Sequence, residues 1–76
     1  MKKMMRLVDL LYKMYENTTI WVAEDPTISE GVYFGAAGEI RFRTAAAYEV
    51  VEFYPECYPT IGNIAGITII VKKMED

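Results

Sequence analysis

Cys57, a few neighbouring carboxylates, one glycine-flanked loop and two short basic clusters are the side chains here that could do chemistry. The chain has no histidine. That removes Ser-His-Asp and Cys-His nucleophilic catalysis, imidazole acid–base work and every His-based zinc site. Cys57 is the only cysteine, so no disulfide closes within the chain and no thiolate cage can be built from it. It sits between Glu56 and Tyr58, with no adjacent base to favour the thiolate, and reads as a loop thiol.

The carboxylates fare no better. Glu49 and Glu52 lie three apart in a strand-type run, which sends them to opposite faces. Glu24 and Asp25 are adjacent and diverge in the same way, and with Glu30 they do not match the spacing of a calcium loop. Gly62-Asn63-Ile64-Ala65-Gly66 lacks the Lys-Ser/Thr of a phosphate loop and leads into a strand instead of a helix. Arg41-Phe42-Arg43 and Lys72-Lys73 make a weak basic and aromatic footprint for nucleic acid, offset by eleven acids in a chain of net charge −3. The reading is therefore not an enzyme, with no catalytic residue, no metal ligand set and no cofactor, and nucleic-acid binding is disfavoured.

The elements that would position these groups follow from periodicity. Residues 4–16 predict a helix, with Met4, Leu7, Val8, Leu10, Leu11, Met14 and Tyr15 on one side and Lys2, Arg6, Asp9, Lys13 and Glu16 opposite. Asp9 precedes Lys13 by four residues, the favourable order for a helix ion pair. No Ser, Thr, Asp or Asn caps the start, so fraying is expected there. Met5 and Tyr12 widen the apolar arc beyond what a helix lying on a sheet must bury. Either loops fold over that flank or it is an oligomer contact.

Four strand-type runs follow: Thr18–Ala23, Val32–Phe34, Tyr48–Tyr54 and Ile67–Lys72. Residues 24–31 form a long hairpin connection containing Asp25-Pro26. Residues 36–47 read as an irregular crossing segment with a short helical turn at Thr44-Ala45-Ala46-Ala47. Pro55 closes the third run, and residues 55–66 form the longest loop. With no second long helix for crossovers, the expectation is an α+β two-layer domain spanning residues 1–76. One N-terminal helix packs on a four-stranded, mainly antiparallel sheet.

Alternation assigns the faces. If Ile20, Val22, Val51, Phe53, Ile67, Ile69 and Val71 point to the helix, then Trp21, Tyr33, Tyr48, Val50, Tyr54 and Ile70 point away. Trp21 and Tyr33 are then expected as cross-strand neighbours. Aromatic residues favour strands in any case, yet Trp and Tyr are also enriched where proteins meet. This second face is the candidate partner-binding surface, with Met5 and Tyr12 as a rival contact on the helix flank.

Composition bounds the rest. The chain is 53% hydrophobic and 25% charged, which is globular and not disordered composition. Residues 1–16 carry a net +2 and residues 17–35 a net −3, so one end is mildly acidic. No run approaches the roughly 18 apolar residues of a membrane span, and Arg6, Asp9 and Lys13 interrupt any signal-type segment. A lone thiol suits a reducing cytoplasm, which is the expected location.

At Leu7-Val8-Asp9-Leu10-Leu11-Tyr12-Lys13-Met14, Tyr48-Glu49-Val50-Val51-Glu52 and Gly66-Ile67-Thr68-Ile69-Ile70-Val71, the chain resembles small uncharacterised proteins of phages and mobile elements of Gram-positive gut bacteria. Residues 36–47 are the part least like them. The resemblance carries no activity or catalytic residue; it implies a bacterial or phage accessory protein that works by binding. The expectation is a non-enzymatic interaction protein that binds a host protein, with a homodimeric structural protein as the alternative.

Overall fold

In the computed structural model, which describes residues 5–24, 31–58, 62 and 64–74, the β-branched run Ile67–Val71 lies inside a four-stranded sheet. The elements in chain order are α1 (Leu7–Leu11), β1 (Thr19–Ala23), β2 (Tyr33–Ala36), a 3-10 turn (Ala37–Glu39), α2 (Phe42–Ala46), β3 (Tyr48–Tyr58) and β4 (Ile64–Lys73). The strand order is β2-β1-β4-β3. The fold is α+β, as expected, but the sheet is mixed. β1 pairs antiparallel with β2 and β3 with β4, while the central pair, β1 and β4, is parallel. The cause is the segment 37–47. Parallel pairing needs a crossover, usually a helical one. Here the 3-10 turn and α2 carry the chain from one edge strand to the other, and β4 then returns to the middle.

The first helix is much shorter than its apolar periodicity suggests. Leu7, Val8 and Leu10 are buried against the sheet. Past Leu11 the hydrogen bonds tighten to three-residue turns, Lys13 N–H to Leu10 O (3.0 Å) and Met14 N–H to Leu11 O (3.1 Å). The crossover then takes the carbonyls that follow: Gly38 N–H donates to Glu16 O and Ala37 N–H to Thr18 O, both at 2.8 Å. A β-carbon on Gly38 would stand 3.0 Å from the Glu16 backbone, so only glycine permits this approach. A helix of one turn is not stable by itself, and its packing holds it. No side chain caps it at Arg6. Asp9 pairs with Arg6 (3.8 Å) because Lys13 lies outside the helix, so the Asp9–Lys13 pair does not form.

Three strands run further than expected. β3 continues through Pro55 to Tyr58 and β4 begins at Ile64, so both ends of the expected loop 55–66 are strand, while residues 59–61 and 63 lie outside the described residues. Proline is tolerated because β3 is an edge strand, where the missing N–H has no ladder partner to lose on the outer side among the described residues. β2 likewise runs on past Phe34, the end of the expected run, through Gly35 and Ala36. The expected connection 24–31 falls mostly on residues 25–30, which lie outside the described residues.

The core lies between the sheet and the two helices. Leu7, Ile20, Val22, Ile69 and Val71 are essentially inaccessible, with Val8, Leu10, Ala37, Ala45 and Val50 completing the cluster. Each large aliphatic side chain buried there contributes about 1.5–3 kcal/mol relative to exposure. No described helix is long and apolar enough to cross a membrane.

Candidate interaction face of the sheet

A bulge in β3 decides which residues reach the second face. Val50 stands opposite Val71 and Glu52 opposite Ile70, so Val51 is the extra residue. Before the bulge, Tyr48 and Val50 therefore face the helices, Val50 in the core and Tyr48 packed against it. Both were expected to point away. After the bulge, Tyr54 points away as expected, opposite Thr68. Val51, expected to point inward, is exposed. Phe53 shares its face with Ile69 but lies 52% exposed.

Register corrects a third residue. Trp21 pairs with Phe34, and Tyr33 pairs with Val22. Tyr33 thus lies on the helix side, packed against the core, and donates its hydroxyl to Ala36 O at 2.6 Å. Burial, with a smaller contribution from Glu39, pushes that hydroxyl above the usual tyrosine range. The expected Trp21–Tyr33 pair is a Trp21–Phe34 pair.

The second face reads across the four strands as Phe34, Trp21, Thr68 and Tyr54. Ala23 and Ile70 sit side by side one step along, both buried. Ile70 is only 5% exposed, so it serves as floor beneath the face instead of contact surface. Tyr58, which sequence reasoning placed in a loop, is the organiser. Its ring crosses the space above Gly66, where a β-carbon would lie 2.6 Å from the Tyr58 ring and 2.6 Å from Thr19 O. Its hydroxyl shares a 3.0 Å hydrogen bond with the fully buried Thr68 hydroxyl. Its ring meets Phe34 edge-on, centroids 5.5 Å apart at 75°. Burial raises the Tyr58 pKa above the usual range; the Thr68 hydrogen bond opposes this, and Glu56 and Tyr54 add to it.

Phe34 remains 48% exposed, while Trp21 and Tyr54 are half-buried. These three rings are the reachable part of the face. Of the two missed aromatics, Tyr58 has a signal in the sequence, because an edge strand accepts Pro55 and so carries on to Tyr58. Phe34 is set by the pairing register and has none.

The bulge also moves a carboxylate. Glu49 stands opposite Lys72 and Glu52 opposite Ile70, two residues apart on β4, so both acids occupy the second face. The expected opposition of Glu49 and Glu52 is overturned by the one extra residue between them. Glu56, opposite Gly66, continues the row. Glu49 and Glu52 are about 7 Å apart along the strand and Glu52 and Glu56 about 13 Å, too far in either case to share one proton directly. Among the described residues, no group of three or more His, Cys, Asp or Glu is placed to hold a metal ion. Cys57 is an exposed free thiol on β3, opposite Ala65.

The rival contact lies on the other side of the molecule. Tyr12 (78% exposed) and Phe42 (64%) border a groove of about 340 Å³ between α1 and α2, with Leu11, Met14, Ile40 and Ala45 among its lining. Met5 is exposed as well, and its carbonyl accepts the Val50 N–H at 2.7 Å. Comparison of the chain with family models, with curated proteins and with solved structures finds no match in any of the three.

Proposed function

We propose that this protein is a non-enzymatic interaction module that engages a protein partner through the second face of its sheet. The observation that carries this reading is the half-exposed Phe34 beside Trp21, held edge-on by a Tyr58 that is itself fixed to Thr68. Aromatic rings on a rigid floor offer large contact area with little rotamer entropy left to lose on binding. Glu52 and Glu56 supply a polar rim, so the surface has the layout of an interface: apolar centre, charged margin. The setting, an accessory factor of a phage or mobile element acting on a host protein, comes from the sequence resemblance alone.

The test is quantitative capture of partners from a lysate of the source cell. Trp21→Ser and Phe34→Ser should each remove the captured partner while far-UV circular dichroism stays that of the unaltered protein. Capture that survives both changes overturns the reading.

Exposure of Tyr12 and Phe42 at the α1–α2 groove favours a second reading, a homodimer joined through the helix side. Light scattering after size exclusion decides it: a monomer at high concentration excludes the dimer, and a dimer lost on Tyr12→Ser and Phe42→Ser establishes it.

A further inference from the structure

We propose that the outer edge of β3 takes an extended basic chain as an added strand, with Lys or Arg side chains meeting Glu52 and Glu56. This rests on the reading of the second face as an interaction surface and names the chemistry of what occupies its rim. β3 is an edge strand, and only its first residues are paired on the outer side among the described residues. There the segment at Met5–Arg6 runs antiparallel beside it: Val50 N–H donates to Met5 O at 2.7 Å, and Arg6 stands opposite Glu49. The edge thus already accepts one antiparallel bridge, in which Arg6 is in register with Glu49 while its guanidinium pairs with Asp9.

Beyond the bulge the row of acids continues, and among the described residues no base stands against it. Glu52, Tyr54 and Glu56 alternate on one face, and their partners on β4 are Ile70, Thr68 and Gly66, none of them charged. Glu49, by contrast, faces Lys72. The spacing of this row, about 7 Å per step, is the spacing of alternate side chains on any strand laid beside it. Two basic side chains of such a strand can reach the two carboxylates, and either can lie against the Tyr54 ring between them. A second copy of this chain is the wrong occupant. Antiparallel self-pairing centred on Tyr54 sets Glu52 against Glu56 of the other copy, like charge against like. Pro55 supplies no N–H to an added strand, so binding leans on the side-chain charges more than in ordinary strand addition.

The test is fluorescence anisotropy of labelled peptides of alternating Arg and Thr, with an alternating Glu and Thr peptide as control. The basic peptide should bind and the acidic one should not. Glu52→Gln with Glu56→Gln should weaken binding about tenfold, the size expected for two exposed ion pairs. Raising salt from about 20 to about 300 mM should weaken it several-fold by screening. A proline at the centre of the basic peptide should abolish binding if the peptide adds as a strand. No binding at low salt, equal binding to the double Gln variant, or full tolerance of the central proline each overturns the proposal. So does self-association of the protein that Glu52→Gln and Glu56→Gln strengthen. Failure of the peptide with Trp21-dependent partner capture intact removes this inference alone; loss of both removes the wider reading.

Discussion

Tyr58 reaches across Gly66 and shares a hydrogen bond of 3.0 Å with Thr68, two strand positions beyond that glycine. The bond locks a buried hydroxyl pair beneath the aromatic face and fixes the ring on which Phe34 rests. The orientation of the candidate surface therefore depends on an absent side chain at Gly66 and on a polar contact under it.

Gly66→Ala is the first prediction. Its β-carbon meets Thr19 O, a backbone atom that cannot swing aside, as well as the Tyr58 ring, both at 2.6 Å. The cost should be about 1–3 kcal/mol, the usual range for overpacking. Urea denaturation measures it, and an unchanged midpoint contradicts the packing described.

Tyr58→Phe removes one partner of a buried pair and leaves the Thr68 hydroxyl unsatisfied, at a cost of about 1–3 kcal/mol. Adding Thr68→Val should restore part of the loss, because an apolar pair needs no hydrogen bond; additive losses would deny the coupling. The same residue carries a pH signature. Its pKa is raised in the folded protein, so the unfolded chain gives up its proton first, at about pH 10. Stability is then complete below that pH and falls as pH rises through the folded value. Tyr33, also raised, acts with the same sign. Tyr58→Phe should lessen the alkaline loss without abolishing it, which denaturation midpoints between about pH 8 and 11 record.

Leu7→Ala and Tyr15→Ala separate the helix that packs from the longer one that periodicity suggests. Leu7 is fully buried in α1, and its truncation should cost about 2–5 kcal/mol. Tyr15 lies beyond the helix and is exposed, so its truncation should change stability by no more than about 0.5 kcal/mol. Comparable losses at both positions would mean that Tyr15 packs as a helix through residue 16 would place it.

These contrasts show how far the sequence could be read. Composition alone marked the apolar strands, because Ile67–Val71 is β-branched throughout and Ile20 and Val22 alternate with polar-tolerant neighbours. Alternation also put Trp21, Tyr54 and Ile70 on the second face, where they lie. It failed wherever one residue was inserted or shifted. The extra Val51 reversed the faces of Tyr48, Val50 and Glu49 relative to the rest of β3, and a one-residue shift in pairing exchanged Tyr33 for Phe34. Neither event leaves a local compositional mark. The parallel β1–β4 pair was hidden for another reason: its crossover helix, Phe42–Ala46, is too short to show helical periodicity.

The most direct measurement of the central claim uses Trp21, the only tryptophan in the chain. It lies in the candidate face and pairs with Phe34 across β1 and β2. Its emission and its quenching by acrylamide should be followed while the captured partner is titrated in. If the partner covers the second face, the emission shifts to the blue and quenching falls in step with binding. Saturated binding with emission and quenching unchanged would place the partner elsewhere on the molecule and contradict the account.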